Sequence, residues 1–164
     1  MSPYRCLGLG LLLLGTAPPG PGEVVQGRPV LRFTDFPVDS VYRGPVADIN
    51  VASNADARRF RTVLRQGARV GPNFAGHMTV VTWGCGTSCI VLAVVDARTG
   101  TVYSSPKGAG DTVEYRLNSR LLVIDGITSC ADTNWFPDFA YFLEWTGKRL
   151  ALRDSVPNTT LCTR

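Results

Sequence analysis

Short apolar segments alternate with turn residues through the second half of the chain, and this pattern constrains the fold more than any other feature. Ile90 to Val95 is apolar at every position, which is typical of a strand covered on both faces. In Val113 to Leu117 and in Phe139 to Trp145, apolar side chains recur at every second position, as in half-buried strands. Asp96–Gly100 supplies a glycine-containing turn. The pattern predicts successive antiparallel hairpins.

One segment before these strands has helical periodicity. We predict a helix from Asn54 to Gln66, capped by Ser53 or Asn54 and ended by Gly67 in the left-handed conformation. Its apolar stripe has spacings of three and four: Ala57, Phe60, Val63 and Leu64. The expected fold class is α+β and mostly β. It is a curled antiparallel meander or small sandwich of about six to eight strands, with one amphipathic helix on a face.

The N-terminal region is typical of an export signal. Arg5 precedes an apolar run from Cys6 to Gly15. A run of about ten residues is shorter than the roughly 20 that span a bilayer, but it matches the apolar region of a secretory signal. We therefore expect residues 1–22 to be a signal peptide and residues 23–164 to form a single β-rich domain. That domain is expected to be periplasmic or secreted, with no membrane span after cleavage. An uncleaved apolar N-terminus is the alternative.

Four cysteines remain after removal of the signal, an even number in an oxidising compartment: Cys85, Cys89, Cys130 and Cys162. We favour Cys85–Cys89, which closes a small loop, together with Cys130–Cys162, which ties the C-terminal tail to the body. The second bond would close a loop of about 30 residues and contribute on the order of 3 kcal/mol. No ligand spacing typical of zinc accompanies these cysteines, so we expect neither a metal nor a cofactor.

The net charge of the chain is small and positive. The whole chain carries a net charge of +4, and loss of Arg5 with the signal lowers it by one. A bias of this size does not indicate nucleic acid binding. Arg58, Arg61 and Arg65 nevertheless share one face of the predicted helix. This face either meets an anionic partner or is simply solvated.

The most distinctive segment runs from Gly71 to Cys89 and contains GPNFAGHM, VVTW and GCGTSC. It resembles the shared segment of an uncharacterised family of small exported bacterial proteins, in which GPNFAGHY leads into VV, WGCGT and a second cysteine. Met78 stands where that family usually has Tyr, and Asp96–Gly100 matches the turn that follows in the family. The resemblance extends from about Phe36 to Trp145. It implies export and a β-rich domain, but no reaction.

The first functional interpretation is a binding or inhibitory module of the cell envelope, acting as a monomer on an unknown protein or anionic envelope component. Binding residues usually lie in loops on a rigid β scaffold. The expected contact residues are Asn73, Phe74, His77, Trp135 and Phe136, with the helix arginines Arg58, Arg61 and Arg65.

The alternative is a cysteine-dependent hydrolase or a thiol-redox protein. Cys85 or Cys89 would be the catalytic nucleophile and His77, the single histidine, would activate it. Two close cysteines in an oxidising compartment more often bond each other, and C-x3-C is not the redox spacing C-x-x-C. The residues therefore favour binding over catalysis, and the sequence assigns no enzymatic activity.

Overall fold

The structure is a computed structural model that describes residues 24–25, 28–126 and 137–161. Strands predominate among these residues, so the expected α+β, mostly β fold class is confirmed. The strands are β1 Val24–Val25, β2 Arg28–Pro29, β3 Met78–Gly86, β4 Cys89–Asp96, β5 Val102–Ser104, β6 Val113–Tyr115, β7 Leu121–Ile124, β8 Phe139–Trp145 and β9 Leu150–Pro157. The helices are α1 Ala55–Arg59, α2 Arg61–Ala68 and α3 Asn158–Leu161, and a 3-10 turn spans Phe33–Asp35.

Two antiparallel meanders make up the body of the domain. One has the order β3-β4-β5 and the other β6-β7-β8-β9, while among the described residues β1 and β2 form a separate two-stranded sheet. Strands that follow one another in sequence are neighbours in each sheet, as the predicted hairpins require. The predicted turn is present between β4 and β5, where the N–H of Gly100 donates to the carbonyl of Asp96 at 2.8 Å. Gly100 has φ of 71° there, a conformation that favours glycine.

The main apolar core lies between the two sheets. Alternate residues of β4 face opposite sides of their sheet, so Leu92 and Val94 enter this core while Ala93 and Val95 face the helices. The prediction that this strand is covered on both faces is therefore confirmed. The other large side chains of the core are Phe74, Met78, Leu122, Ile124, Leu143, Trp145 and Leu150.

The helical region covers the outer face of the three-stranded sheet. Asn54 caps α1 as predicted, because its Oδ1 accepts from the N–H of Ala57 at 2.8 Å. The Nδ2 of Asn54 also donates to the carbonyl of Val102 at 2.8 Å, which ties the start of the helix to β5. Ala57 and Leu64 are buried against this sheet and Phe60 packs beside them, which confirms three residues of the predicted apolar stripe; the fourth, Val63, is half-buried and lies outside this cluster.

The expected single helix differs from the structure in two respects. Phe60 interrupts it with φ of −105° and ψ of 20°, so α1 and α2 are separate elements. The second helix also continues past the predicted end, to Ala68. Gly67 does not end it, because this residue lies inside α2 with Val81 so close that a Cβ would overlap it. A left-handed glycine occurs later, at Gly71 with φ of 79°.

The outer face of the four-stranded sheet is covered by residues near both ends of the described chain. Leu121 and Val123 of β7 pack there against Phe33 and Phe36 of the N-terminal segment and against Leu161 of α3. Across the described ranges, no helix is long and apolar enough to cross a membrane. The predicted signal peptide (residues 1–22), the Cys130–Cys162 bond and the contact residues Trp135 and Phe136 lie outside the described residues.

Candidate functional site

The loop before β3 has a strongly constrained backbone. Gly71, Ala75 and Gly76 have φ of 79°, 45° and 76°, so the chain turns sharply within residues 71–76. A Cβ at Gly76 would collide with the carbonyl of Ser40, so this position requires glycine for space as well as for conformation. The N–H of Tyr42 also donates to the carbonyl of Gly76 at 2.8 Å. The loop and the 37–42 segment are thereby held together.

Asn73 and Phe74, expected as contact residues, support this loop from inside. The Oδ1 of Asn73 accepts from the N–H of Val80 at 2.8 Å, and its Nδ2 donates to the carbonyl of Val80 at 3.4 Å. Phe74 is 0 % exposed and lies in the core between the sheets. Phe74 is therefore withdrawn from solvent, whereas Asn73 and His77 are both half-buried, and the polar groups of the Asn73 side chain bond the backbone of Val80.

His77 lines an open cleft of about 530 Å³. Three segments line most of it: residues 37–40, the end of the loop before β3 with Ala75 and His77, and the turn between β8 and β9. The N–H of Val38 donates to the carbonyl of Asn118 at 3.3 Å, which fixes the first of these segments. The polar side chains around the cleft are Asp39, Ser40, His77, Arg98, Arg120 and Thr146.

A buried carboxylate stands behind His77 and Arg98. The side chain of Asp96 is 10 % exposed and accepts from Arg98 Nε at 3.3 Å, while His77 Nε2 lies 4.0 Å from Asp96 Oδ2. Partial burial and the nearby charge of Arg98 lower the pKa of His77, and Asp96 opposes this shift only in part. The imidazole is therefore neutral at pH 7 and offers one donor and one acceptor.

A second buried carboxylate holds Arg120, which lines the cleft beside the 37–40 segment. Glu144 is 4 % exposed, and its two oxygens accept from Arg120 Nη1 at 2.5 Å and from Arg153 Nε at 2.5 Å. Arg120 Nε also donates to the carbonyl of Pro37 at 3.2 Å. Two guanidinium groups thus compensate one buried charge, and the orientation of Arg120 is set by two groups, the Glu144 carboxylate and the Pro37 carbonyl.

The two predicted cysteines lie at the far end of β3. Cys85 and Cys89 form a disulfide across the β3–β4 hairpin, with their Cα atoms 5.1 Å apart, as predicted. A bulge between Gly84 and Gly86 offsets the two cysteines, and Ser88 turns the chain with φ of 50°. The hairpin tip from Gly84 to Ser88 is exposed.

The structure does not bring His77 together with these cysteines. His77 precedes the first residue of β3, whereas Cys85 is next to the last. A strand rises about 3.3 Å per residue, so the two side chains start about 25 Å apart. Proton transfer needs a separation of roughly 3 Å. The alternative in which His77 activates Cys85 or Cys89 is therefore incompatible with this fold, for a simple geometric reason.

The helix arginines form a surface of their own. Arg58, Arg61 and Arg65 are exposed, and Arg61 Nη1 reaches the carbonyl of Arg58 at 3.4 Å. None of the three lines the cleft of His77. Within the described ranges, no group of three or more His, Cys, Asp or Glu side chains is placed to hold a metal ion.

Sequence reasoning identified His77 but missed the charged residues that surround it. Arg98 lies in a turn, and Arg120 and Glu144 lie near or within strands far along the chain, so no local spacing links them.

Searches of protein-family models, characterised proteins and solved structures find no match to this chain.

Proposed function

We propose that this protein is an exported binding module that holds an anionic group of its partner, a carboxylate or a phosphate, in the cleft of His77, Arg98 and Arg120. One observation carries the proposal. Two guanidinium groups border a single open cleft of about 530 Å³, and each is anchored by a different buried carboxylate. The partner is an unknown protein or an anionic envelope component, and the protein acts on it as a monomer.

The buried carboxylates hold the two arginine side chains in place before a ligand binds, which lowers the entropic cost of binding. Arg98 is held by Asp96 and Arg120 by Glu144, so neither side chain has to be ordered when a ligand arrives. Donors remain after these bonds. In the described part of the chain, Arg98 Nη1 and Arg120 Nη2 have no hydrogen-bond partner. Arginine is well suited to such a site, since its planar fork matches carboxylate and phosphate oxygens.

The proposed compartment follows from the first residues and from the cysteines. The charged start and apolar run of residues 1–15 are typical of a secretory signal. The disulfide Cys85–Cys89 joins an exposed cysteine to a half-buried one, and such bonds persist in oxidising compartments. The resemblance of residues 71–100 to exported bacterial proteins supports the same location. We therefore place the protein in the periplasm or outside the cell.

The test is an NMR titration of the 15N-labelled protein with inorganic phosphate and with acetate, two anions that are too small to pair along the edge of a strand. The expected result is saturable shifts of the amide signals of His77 and Arg98. Replacement Arg98→Gln keeps a polar side chain but removes the charge, and it should weaken binding about tenfold, as expected for loss of a charged hydrogen bond.

Arg61→Gln is the matched control, since Arg61 is an exposed arginine that does not line the cleft. It should leave the affinity unchanged. If Arg61→Gln weakens binding and Arg98→Gln does not, the anionic surface is the helix and the cleft proposal is wrong. Shifts that fail to saturate with either probe would also contradict it.

A second candidate function rests on the disulfide at the hairpin tip. Cys85–Cys89 could serve thiol–disulfide exchange by itself, without His77, because solvent and other thiols reach the hairpin tip. Alkylation of the exported protein before and after incubation with a glutathione buffer, read by mass spectrometry, tests this. Ready alkylation of both cysteines only after mild reduction supports a redox role, whereas a bond that persists under these conditions supports a structural role.

A further inference from the structure

The outer edge of β3 is half covered. β3 is the outermost strand of its sheet, since the strand order is β3-β4-β5. The N–H of Val80 donates to Asn73 Oδ1 and so points away from β4. Because the two sides of a strand alternate, the backbone groups of Met78, Thr82 and Gly84 point outward as well. The loop before β3 bonds the outward groups of Met78 and Val80.

Thr82 and Gly84 have no such cover. Both residues are exposed. In the described residues, their outward N–H and C=O groups have no hydrogen-bond partner. No atom lies within 4 Å of the position that a Cβ at Gly84 would take, and no positive φ requires glycine there. Another backbone can therefore approach this edge closely. A row of free donors and acceptors on an edge strand is a template for an added strand.

The helical region supplies positive charge beside this open edge. α2 packs mainly against β3. Trp83, between the two open residues, faces the helices, where its ring lies 4.9 Å from that of Phe60. The guanidinium of Arg59 lies 5.2 Å from the centre of the Phe60 ring. The single acidic residue of α1 and α2, Asp56, accepts from Ser104 Oγ at 2.6 Å. The other exposed arginines of these two helices are Arg58, Arg61 and Arg65, of which Arg65 lines a groove beside residues 46–49 instead.

We propose that the open edge of β3 at Thr82 and Gly84 binds an extended, acidic segment of a partner protein. The segment pairs as an added antiparallel or parallel strand, and its helix-facing side chains, at every second position, meet the arginines of α1 and α2. A second copy of this chain is a poorer occupant, because it would bring its own arginine-bearing helices to the same edge and like charges repel. This site shares no residue with the cleft of His77.

The test uses a synthetic peptide of alternating glutamate and threonine, acetylated and amidated, and hydrogen exchange of the 15N-labelled protein. A control peptide of the same sequence is N-methylated at alternate residues, which removes its pairing N–H groups but keeps its charge. At about ten times the dissociation constant, the first peptide should slow exchange of the Thr82 and Gly84 amides about tenfold. The N-methylated peptide should not slow it.

Substitutions of arginines near the edge and elsewhere on the surface test whether the charge of α1 and α2 contributes to peptide binding. Arg59→Gln with Arg61→Gln should weaken binding of the acidic peptide about fivefold, as expected for two exposed ion pairs. Arg149→Gln is the control, an exposed arginine in the turn between β8 and β9, and should have no effect. Arg98→Gln should also leave the slowed exchange of the Thr82 and Gly84 amides unchanged, so failure of the cleft proposal and failure of this one are distinguishable.

Three results would overturn the inference. The first is equal binding of the N-methylated and unmodified peptides, because pairing through the backbone is then not involved. The second is absence of binding by the acidic peptide. The third is concentration-dependent protection of Thr82 and Gly84 without any peptide, since the occupant of the edge is then a second copy of the chain.

Discussion

The buried carboxylate of Glu144 gives the sharpest quantitative prediction. Its side chain is 6 % exposed, whereas those of its partners Arg120 and Arg153 are 41 % and 50 % exposed. Removal of one arginine leaves Glu144 paired with the other. Because the guanidinium groups are half exposed and screened by solvent, Arg120→Ala or Arg153→Ala alone should lower the free energy of unfolding by about 1 kcal/mol.

The double variant Arg120→Ala/Arg153→Ala should lose much more than the sum of the two. It leaves a buried carboxylate with no compensating charge, which costs about 3–5 kcal/mol. Adding Glu144→Leu should then restore most of this loss, because the buried charge itself is gone. A stabilisation on adding a third substitution is the signature of an uncompensated charge rather than of lost packing.

Urea unfolding followed by tryptophan fluorescence measures all five proteins, with the slopes compared to confirm that each unfolds as a single transition. Arg149→Ala serves as the control for removing an exposed arginine, and should change stability by less than about 0.5 kcal/mol. If the double variant loses only the sum of the two single losses, and Glu144→Leu restores nothing, the reasoning about this charge cluster is refuted.

Three other perturbations test separate parts of the structure. The pKa of His77 is lowered in the folded state, so the unfolded chain binds more protons. The free energy of unfolding should therefore decrease as the pH drops below about 6.5. Between pH 8 and pH 5, the urea midpoint of His77→Gln should decrease less than that of the natural chain. Gly147→Ala, at φ of 86° in open space, should lower the free energy of unfolding by roughly 1–2 kcal/mol. Gly100→Ala should cost several times as much, because φ is 71° there and the Asp48 carbonyl occupies the position of the new Cβ. Equal decreases in the melting temperatures of the two variants would contradict this close approach. Phe74→Ala should destabilise by about 3–5 kcal/mol in urea unfolding, and a loss below 1 kcal/mol would show that this ring is not in the core.

Local signals in the chain were sufficient for most of the secondary structure. The apolar run of Ile90 to Val95 indicated a strand covered on both faces, and the structure has β4 there. The sequence predicts Ser53 or Asn54 as the helix cap, of which the structure has Asn54, and it predicts Asp96–Gly100 as a turn, because capping and turn formation depend on neighbours a few residues away. The break at Phe60 escaped prediction, since its ring packs on Trp83, which is distant in sequence.

The candidate sites were decided by the packing of the two sheets. The segment of residues 71–89 is contiguous in sequence, yet β3 places His77 at one end and Cys85 at the other, so residues that looked like one constellation are separated. Conversely, His77, Arg98 and Arg120 meet at one cleft although 43 positions separate the first from the last. Periodicity reports which face of an element is apolar, but it contains no information on which strands of another sheet lie opposite that face. The cleft and its buried carboxylates exist only because the sheets pack in this one arrangement, and the open edge of β3 follows from the strand order within its own sheet.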